Sequence, residues 1–211
     1  MRYIATIVVG YLLGSINPAA LVSRIKNKDI RESGTGNLGA TNTLLNFGKA
    51  HAAFVMLFDM MKAVAAFHIA KYLLPTSSVS GLIGGGAAVL GHVFPFYLKF
   101  KGGKGLAAFA GLVLAYDPTI FMILLVISTS LMLIFNYSVA MPMSATVLFP
   151  IMAGLRDGSL LVFFVASLVC VFVAFKHREN LVKAVNGTDI KVREYIKEHL
   201  FKDDERTEEH K

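Results

Sequence analysis

Five stretches of this chain carry no charged side chain: residues 3–23, 77–98, 118–135, 136–155 and 158–175. Mostly apolar runs of about 18 residues or more are long enough to cross a bilayer as helices. A soluble all-α core would have to bury all five within 211 residues, and a domain of that size leaves too much surface exposed. The 55% apolar composition exceeds the roughly 45–50% of soluble domains and points the same way. Arg2 and the apolar run after it have the outline of a secretory signal. Apolar segments continue down the chain, however, so an uncleaved first helix is expected.

The expected fold is therefore all-α and polytopic. Seven segments are read, at about 3–23, 50–74, 79–98, 104–116, 118–135, 139–155 and 159–175, with a charged tail from 184 onward. The net charge of +7 is concentrated in two connections. The loop 24–49 holds Arg24, Lys26, Lys28, Arg31 and Lys49 against Asp29 and Glu32, while 99–104 holds Lys99, Lys101 and Lys104 without an acid. From 176 onward nine basic residues balance nine acidic ones. Basic loops stay on the cytoplasmic side, so both connections and the C-terminus are expected there, with the N-terminus outside. The charge suits anionic lipid and does not call for nucleic acid.

Segment 104–116 is too short to span: about 13 residues make roughly 20 Å of helix against a core of about 30 Å. Asp117-Pro118 ends it, because a residue before proline avoids the α region. A half-helix is expected, with its N-terminus aimed at the Lys101–Lys104 connection, where the dipole and free N–H groups favour an anion. A single long helix kinked at Pro118 is the alternative. Gly10 and Gly14, like Gly81 and Gly85, stand four apart and suit close helix packing. Cys170 is the only cysteine, which excludes an internal disulfide, and no metal-ligand cluster is visible. The tail 188–211, with Glu194, Lys197 and Glu198, is expected to be a charged helix or a disordered end without a site.

The chemistry concentrates in two glycine-rich loops, Gly34-Thr-Gly-Asn-Leu-Gly-Ala-Thr-Asn42 and Lys101-Gly-Gly-Lys-Gly105. Glycine exposes backbone N–H groups and lysine adds fixed charge, which together suit a phosphate. Gly34-x-Gly36-x-x-Gly39 formally fits a dinucleotide fingerprint, but a membrane helix and a charged loop precede it where a strand is required. The second loop lacks the spacing of a Walker loop. Asp59 and Lys62, three apart on one helix, can meet, and charge inside a membrane is costly and tends to be functional. A mutually satisfied structural pair fits them equally. His92 stands before the second loop and is read as support that holds it by hydrogen bonding. Lys176-His177-Arg178-Glu179-Asn180 closes the last segment, with His177 and Asn180 on one face.

Gly14-Ser15-Ile16, Gly36-Asn37-x-Gly39-Ala40-Thr41-Asn42, Gly91-His92-x-x-Pro95, Phe100-Lys-Gly-Gly-Lys-Gly105 and Lys176-His-Arg-x-Asn180 occur in that order. Across residues 10–183 the chain resembles the acyl-phosphate-dependent glycerol-3-phosphate acyltransferases of bacterial membranes. The resemblance implies seven helices in the inner membrane and no metal or coenzyme. It also implies transfer of an acyl group from acyl phosphate to glycerol 3-phosphate, giving lysophosphatidic acid and phosphate. The partners implied are those two substrates, membrane lipid and an enzyme that produces acyl phosphate.

On this reading Lys104, His177 and Asn180 are catalytic. Thr35, Gly36, Asn37, Gly39, Thr41, Asn42, Gly102, Gly103 and Lys176 bind substrate, and His92, Asp59 and Lys62 support the site. The chain departs from the family pattern in having Leu45 where an arginine is expected, Ala108 for a threonine, and Asn136, Val139 and Pro142 for an arginine and two serines. Leucine cannot replace an arginine clamp on phosphate. A non-catalytic or altered-acceptor homologue that binds phospholipid precursors or a partner is the alternative. An anion transporter is a more distant one, since the polar residues cluster on one side.

Overall fold

The computed structural model describes residues 1–75, 77–189 and 191–196, and every regular element among them is helical apart from a lone bridge between Tyr137 and Lys191. The helices are α1 (Arg2–Ser15), α2 (Pro18–Ile25), α3 (Ala40–Phe47), α4 (Lys49–Leu73), α5 (Ser80–Val93), α6 (Leu106–Tyr116), α7 (Pro118–Phe135), α8 (Ala140–Asp157), α9 (Leu160–Lys176), α10 (Arg178–Val185) and α11 (Val192–Ile196). Arg2–Ile25, Lys49–Leu73, Ser80–Leu98 and Pro118–Phe135 are long and apolar enough to cross a membrane. A fifth such span forms if α9 and α10, bent by 56° at His177, count together.

Two expectations change in detail. The first segment is broken at Ile16-Asn17, where Asn17 Oδ1 accepts from Ala20 N–H at 2.9 Å and Pro18 starts α2. Proline at the first helical position needs no N–H partner, so the break costs little. The loop 24–49 holds the eight-residue α3, whose short apolar content the segment count passed over. The stretch 104–135 is the expected half-helix followed by a second helix, and not the single kinked helix of the alternative: Asp117 is extended (φ −158°, ψ 112°) and caps α7 by accepting from Thr119 and Ile120 N–H at 2.7 and 2.9 Å. Arg156 pairs with Asp117 at 2.6 Å and pins the end of α8 to this corner.

The central helix is α5, with almost all of its residues buried among α1, α4, α6 and α9. Its glycines explain how so many neighbours fit. A Cβ at Gly14 of α1 would land on the Ala88 backbone, and one at Gly91 would land on Tyr11 and Ser15 backbone atoms. Gly81 and Gly85 make room for Phe67 and Leu112. Lipid gives helices no hydrophobic reason to associate, so close backbone approach of this kind supplies much of the packing. Gly14→Val should therefore cost at least about 1–3 kcal/mol by overpacking, read as a lower melting temperature in detergent. An unchanged melting point would mean that α1 and α5 can separate freely at this level.

The charged tail is not all solvated. Val192 N–H donates to Asn136 O at 3.1 Å, Arg193 N–H to Asn136 Oδ1 at 2.9 Å, and Lys191 Nζ bonds Tyr137 Oη and lies over its ring at 3.9 Å. The segment 191–193 thus docks on the end of α7. Lys197, Glu198 and the rest of the tail lie outside the described residues.

Candidate active site

A cavity of about 500 Å³ opens between α3, α4, α6, α7 and α8. Polar groups line one part of it: Asn37, Gly39, Thr41 and Lys104 are accessible and form its mouth, Asp59, His92 and His177 are buried behind them, and the remaining wall is apolar, with Phe109, Val113, Phe121, Leu124 and Leu125 among others. Two helix N-termini face the mouth. α3 begins after Gly39 and α6 after Gly105, and neither has a side-chain cap. The first-turn N–H groups of each helix therefore point toward the cavity without a side-chain acceptor, and both dipoles favour negative charge there.

Sequence chemistry explains why the first loop folds this way. Asn42, fully buried, accepts Thr35 N–H on Oδ1 at 2.8 Å and donates to Ile30 O at 2.6 Å. Ser33 Oγ donates to Asn46 Oδ1 at 2.6 Å. Gly34 and Gly36 have φ of +60° and +68°, and the Asn42 carboxamide occupies the space that a Cβ on Gly34 would need. These bonds turn the chain so that Asn37, Gly39 and Thr41 face the cavity. Thr35 and Gly36 lie on the exposed outer side, and Asn42 is wholly engaged in shaping the loop. Asn42 is fully buried and does not line the cavity; its carboxamide holds two backbone segments together.

The second loop differs more from expectation. Gly102 N–H donates to Val93 O at 3.1 Å and Gly103 N–H to His92 O at 3.2 Å, so neither is available to an anion. A Cβ on Gly103 would collide with the His92 ring and Leu38 O, and one on Gly102 with His92 O and Pro95. The two glycines let the loop lie flat against the end of α5. Gly105, Leu106 and Ala107 line the cavity in their place. The sequence pattern did contain this signal, since a half-helix starting here presents its own first turn.

Lys104 Nζ bonds Asn180 Oδ1 across the mouth. Burial holds its ammonium below the ordinary lysine range, with Asp189 and Glu179 offsetting part of the effect. His177, buried at the break between α9 and α10, donates from Nδ1 to Val173 O at 2.8 Å. Burial pushes its pKa down to about 4, against the hydrogen bond to Val173. The ring is therefore neutral at pH 7, and Nε2 offers a lone pair. Asn180 meets the site through Lys104. Lys176 sits over the Phe94 ring at 5.3 Å and is not part of the cavity wall.

Asp59, Lys62 and His92 form one buried cluster. Asp59 Oδ1 lies 2.7 Å from Lys62 Nζ and 3.1 Å from His92 Nδ1, Lys62 Nζ lies 3.0 Å from that same nitrogen, and Lys62 Nζ also donates to Ile16 O at 2.7 Å. His92 thus supports the loop through its backbone carbonyl, while its ring belongs to the charge cluster. The cluster ties the α1–α2 break, α4 and α5 together beside the cavity. Among the described residues no group of three or more His, Cys, Asp or Glu side chains could hold a metal.

The sequence profile described as glycerol-3-phosphate acyltransferase matches residues 4–187. The chain belongs to that family. It is 36% identical over 195 residues to the glycerol-3-phosphate acyltransferase of Allorhizobium ampelinum, covering 90% of this chain and 91% of the relative. With the Enterococcus faecalis protein of the same name it shares 36% over 199 residues, again 90% and 91%. The fold matches PlsY, an integral membrane glycerol 3-phosphate acyltransferase, in its glycerol 3-phosphate form: TM-score 0.80, 30% identity, 90% of this chain and 96% of that one. The lysophosphatidic acid form of PlsY gives a TM-score of 0.81 at 28% identity. The fold is thus that of a multi-pass membrane protein.

Within this family fold the departures fall in different places. Ala108 is fully buried in α6 and does not line the cavity. Asn136 holds the C-terminal segment. Val139 and Pro142 are buried around the start of α8, beside Met141, which does line the cavity. Leu45 lies one turn after Thr41 on α3 and is exposed.

Proposed function

We propose that this chain acylates glycerol 3-phosphate with an acyl phosphate donor. The observation that carries the reading is the division of one cavity into a cationic mouth, where two uncapped helix N-termini and Lys104 meet, and an apolar inner wall. An acyl phosphate has the same division. Its phosphate suits the N–H groups of α3 and α6, and its alkyl chain suits Phe109, Val113, Phe121 and Leu124. The acceptor approaches at Lys104, Asn180 and His177. Asn180, whose Oδ1 already accepts from Lys104, has its amide hydrogens left for substrate oxygen. The neutral His177 Nε2 accepts a hydrogen bond and so orients the attacking hydroxyl.

The acceptor hydroxyl oxygen adds to the acyl carbon, and the tetrahedral oxyanion collapses with cleavage of the carbon–oxygen bond to phosphate. Phosphate leaves with the bond's electron pair, and the hydroxyl proton passes to a phosphate oxygen. Lys104 and the α6 N-terminus stabilise the developing negative charge. No covalent enzyme intermediate is required.

The same reading places the protein in the bacterial inner membrane, with loop 24–49, the 99–105 connection and the C-terminal segment on the cytoplasmic side and the N-terminus outside. The geometry supports it: Gly103 packs on Leu38 and Lys104 on Asn180, so the three segments share one end of the helix bundle. An enzyme making acyl phosphate from activated fatty acid must supply the donor. The donor is tested by offering purified protein palmitoyl phosphate or palmitoyl-CoA with glycerol 3-phosphate. Turnover is expected with the first and little with the second, because the polar part of the cavity, with Lys104 and the α3 and α6 N-termini, matches a phosphate. Equal rates would overturn the donor assignment.

Exposed Leu45 favours an altered acceptor as a second reading. Helix side chains lean toward the N-terminus, so an arginine at 45 would reach back one turn to the Thr41 level at the mouth. If glycerol 3-phosphate is the acceptor, its phosphate has one clamp fewer here. Leu45→Arg is then expected to lower KM for glycerol 3-phosphate about tenfold or more, from a charge-assisted contact worth roughly 1.5–3 kcal/mol. Steady-state kinetics checks this, and an impaired native reaction would favour an acceptor without that phosphate.

A further inference from the structure

Ser128 lies in the middle of α7, in a stretch with no charged residue, and its side chain is nearly wholly buried (2% exposed). It lines the cavity, yet its hydroxyl has no hydrogen-bond partner. The other buried helical hydroxyls behave differently. Those of Thr6, Ser15, Thr43 and Thr146 each donate to the carbonyl one turn earlier. Ser128 has the same option at Leu124 and does not take it. A buried hydroxyl without a partner is costly, and natural proteins keep one where something else satisfies it.

The position of Ser128 indicates which part of a ligand it meets. α6 ends and α7 begins at the Asp117 corner, and eleven residues separate that corner from Leu106 on one and from Ser128 on the other. At about 1.5 Å per residue each lies about 16 Å along its helix. On α7 the cavity stripe runs Phe121, Leu124, Ser128, and on α6 it runs Val113, Phe109, Leu106. Ser128 thus ends the apolar stripe at the same end where Lys104 and the α6 N-terminus begin. With phosphate at the mouth and alkyl chain along the wall, the acyl carbonyl falls between them.

Building on the acyl-transfer reading, we infer that Ser128 is a further catalytic residue that donates its hydroxyl hydrogen to the acyl carbonyl oxygen. As the acceptor oxygen adds its electron pair to the acyl carbon, the carbonyl oxygen takes up the π electrons. The Ser128 hydroxyl, which has almost no accessible surface and no bond to break, turns about χ1 from the α7 wall toward the growing charge. Substrate thus supplies the partner that the fold itself does not give this hydroxyl.

Ser128→Ala separates this role from a structural one. It removes a hydroxyl that has no partner in the fold, so the melting temperature of the ligand-free protein should stay the same or rise. With palmitoyl phosphate and glycerol 3-phosphate, kcat should fall about 10- to 100-fold with little change in either KM. The loss should be equal with lauroyl phosphate, since the carbonyl is common to both donors. An active wild type and an unaffected Ser128→Ala overturn this assignment alone. A lower melting temperature, or a loss confined to KM or to one chain length, also overturns it and makes Ser128 a packing residue. A wild type that forms no lysophosphatidic acid overturns the acyl-transfer reading together with it.

Discussion

Lys104→Ala is expected to lower kcat/KM for acyl transfer by about 10²-fold or more. Lys104 brings a charge to the cavity mouth, is bonded to Asn180, and sits at the start of α6, whose dipole acts in the same direction. Removing one preorganised donor from a developing oxyanion typically costs about 2.7–4 kcal/mol. The effect should lie mainly in kcat, because the ammonium is placed for charge that grows during reaction. Lys99, exposed and left-handed at φ +55°, does not line the cavity. Lys99→Ala should change kcat/KM far less. Equal losses at both positions would reduce Lys104 to a contribution to surface potential.

The second large effect is on stability. Asp59→Ala should destabilise the protein by about 3–5 kcal/mol, because it strips the carboxylate from a buried lysine. Lys62 would keep Ile16 O and His92 Nδ1 but lose its only opposite charge within the cluster. A melting temperature lower by on the order of 10 °C in detergent is the expected reading. Activity should fall with it, since Asp59 and His92 form part of the cavity wall and His92 holds the Lys101–Gly105 loop. The double variant Asp59→Leu, Lys62→Met should recover much of the lost stability, as apolar replacements of buried ion pairs often do. Failure to recover would assign the stability to Asp59 hydrogen bonding with His92 and not to charge balance.

Much of this arrangement is legible in the residues. Uncharged runs give most of the apolar helices, and Asp117-Pro118 gives the α6–α7 corner, because proline chemistry is local. The half-helix α6 follows from its length. Chain order alone does not reveal that the glycines of the second loop serve packing, since that depends on the His92 ring, Leu38 O and the end of α5 arriving from elsewhere. Asn42 misleads in the same way: it reads as a ligand contact and is a loop brace. Lys176 turns to Phe94, a contact that no spacing rule anticipates. Ser128 carries no sequence signal, because a serine in an apolar helix ordinarily bonds its own backbone.

The account rests on one cavity holding a phosphate at its mouth and an acyl chain along its wall, and passing that chain to glycerol 3-phosphate. Purified protein in detergent, given palmitoyl phosphate and radiolabelled glycerol 3-phosphate, tests it directly. Labelled lysophosphatidic acid and inorganic phosphate should appear in equal amounts, with both lost in Lys104→Ala. Phosphate release without labelled lipid would contradict the account, since the cavity would then bind and hydrolyse an acyl phosphate without transferring its acyl group.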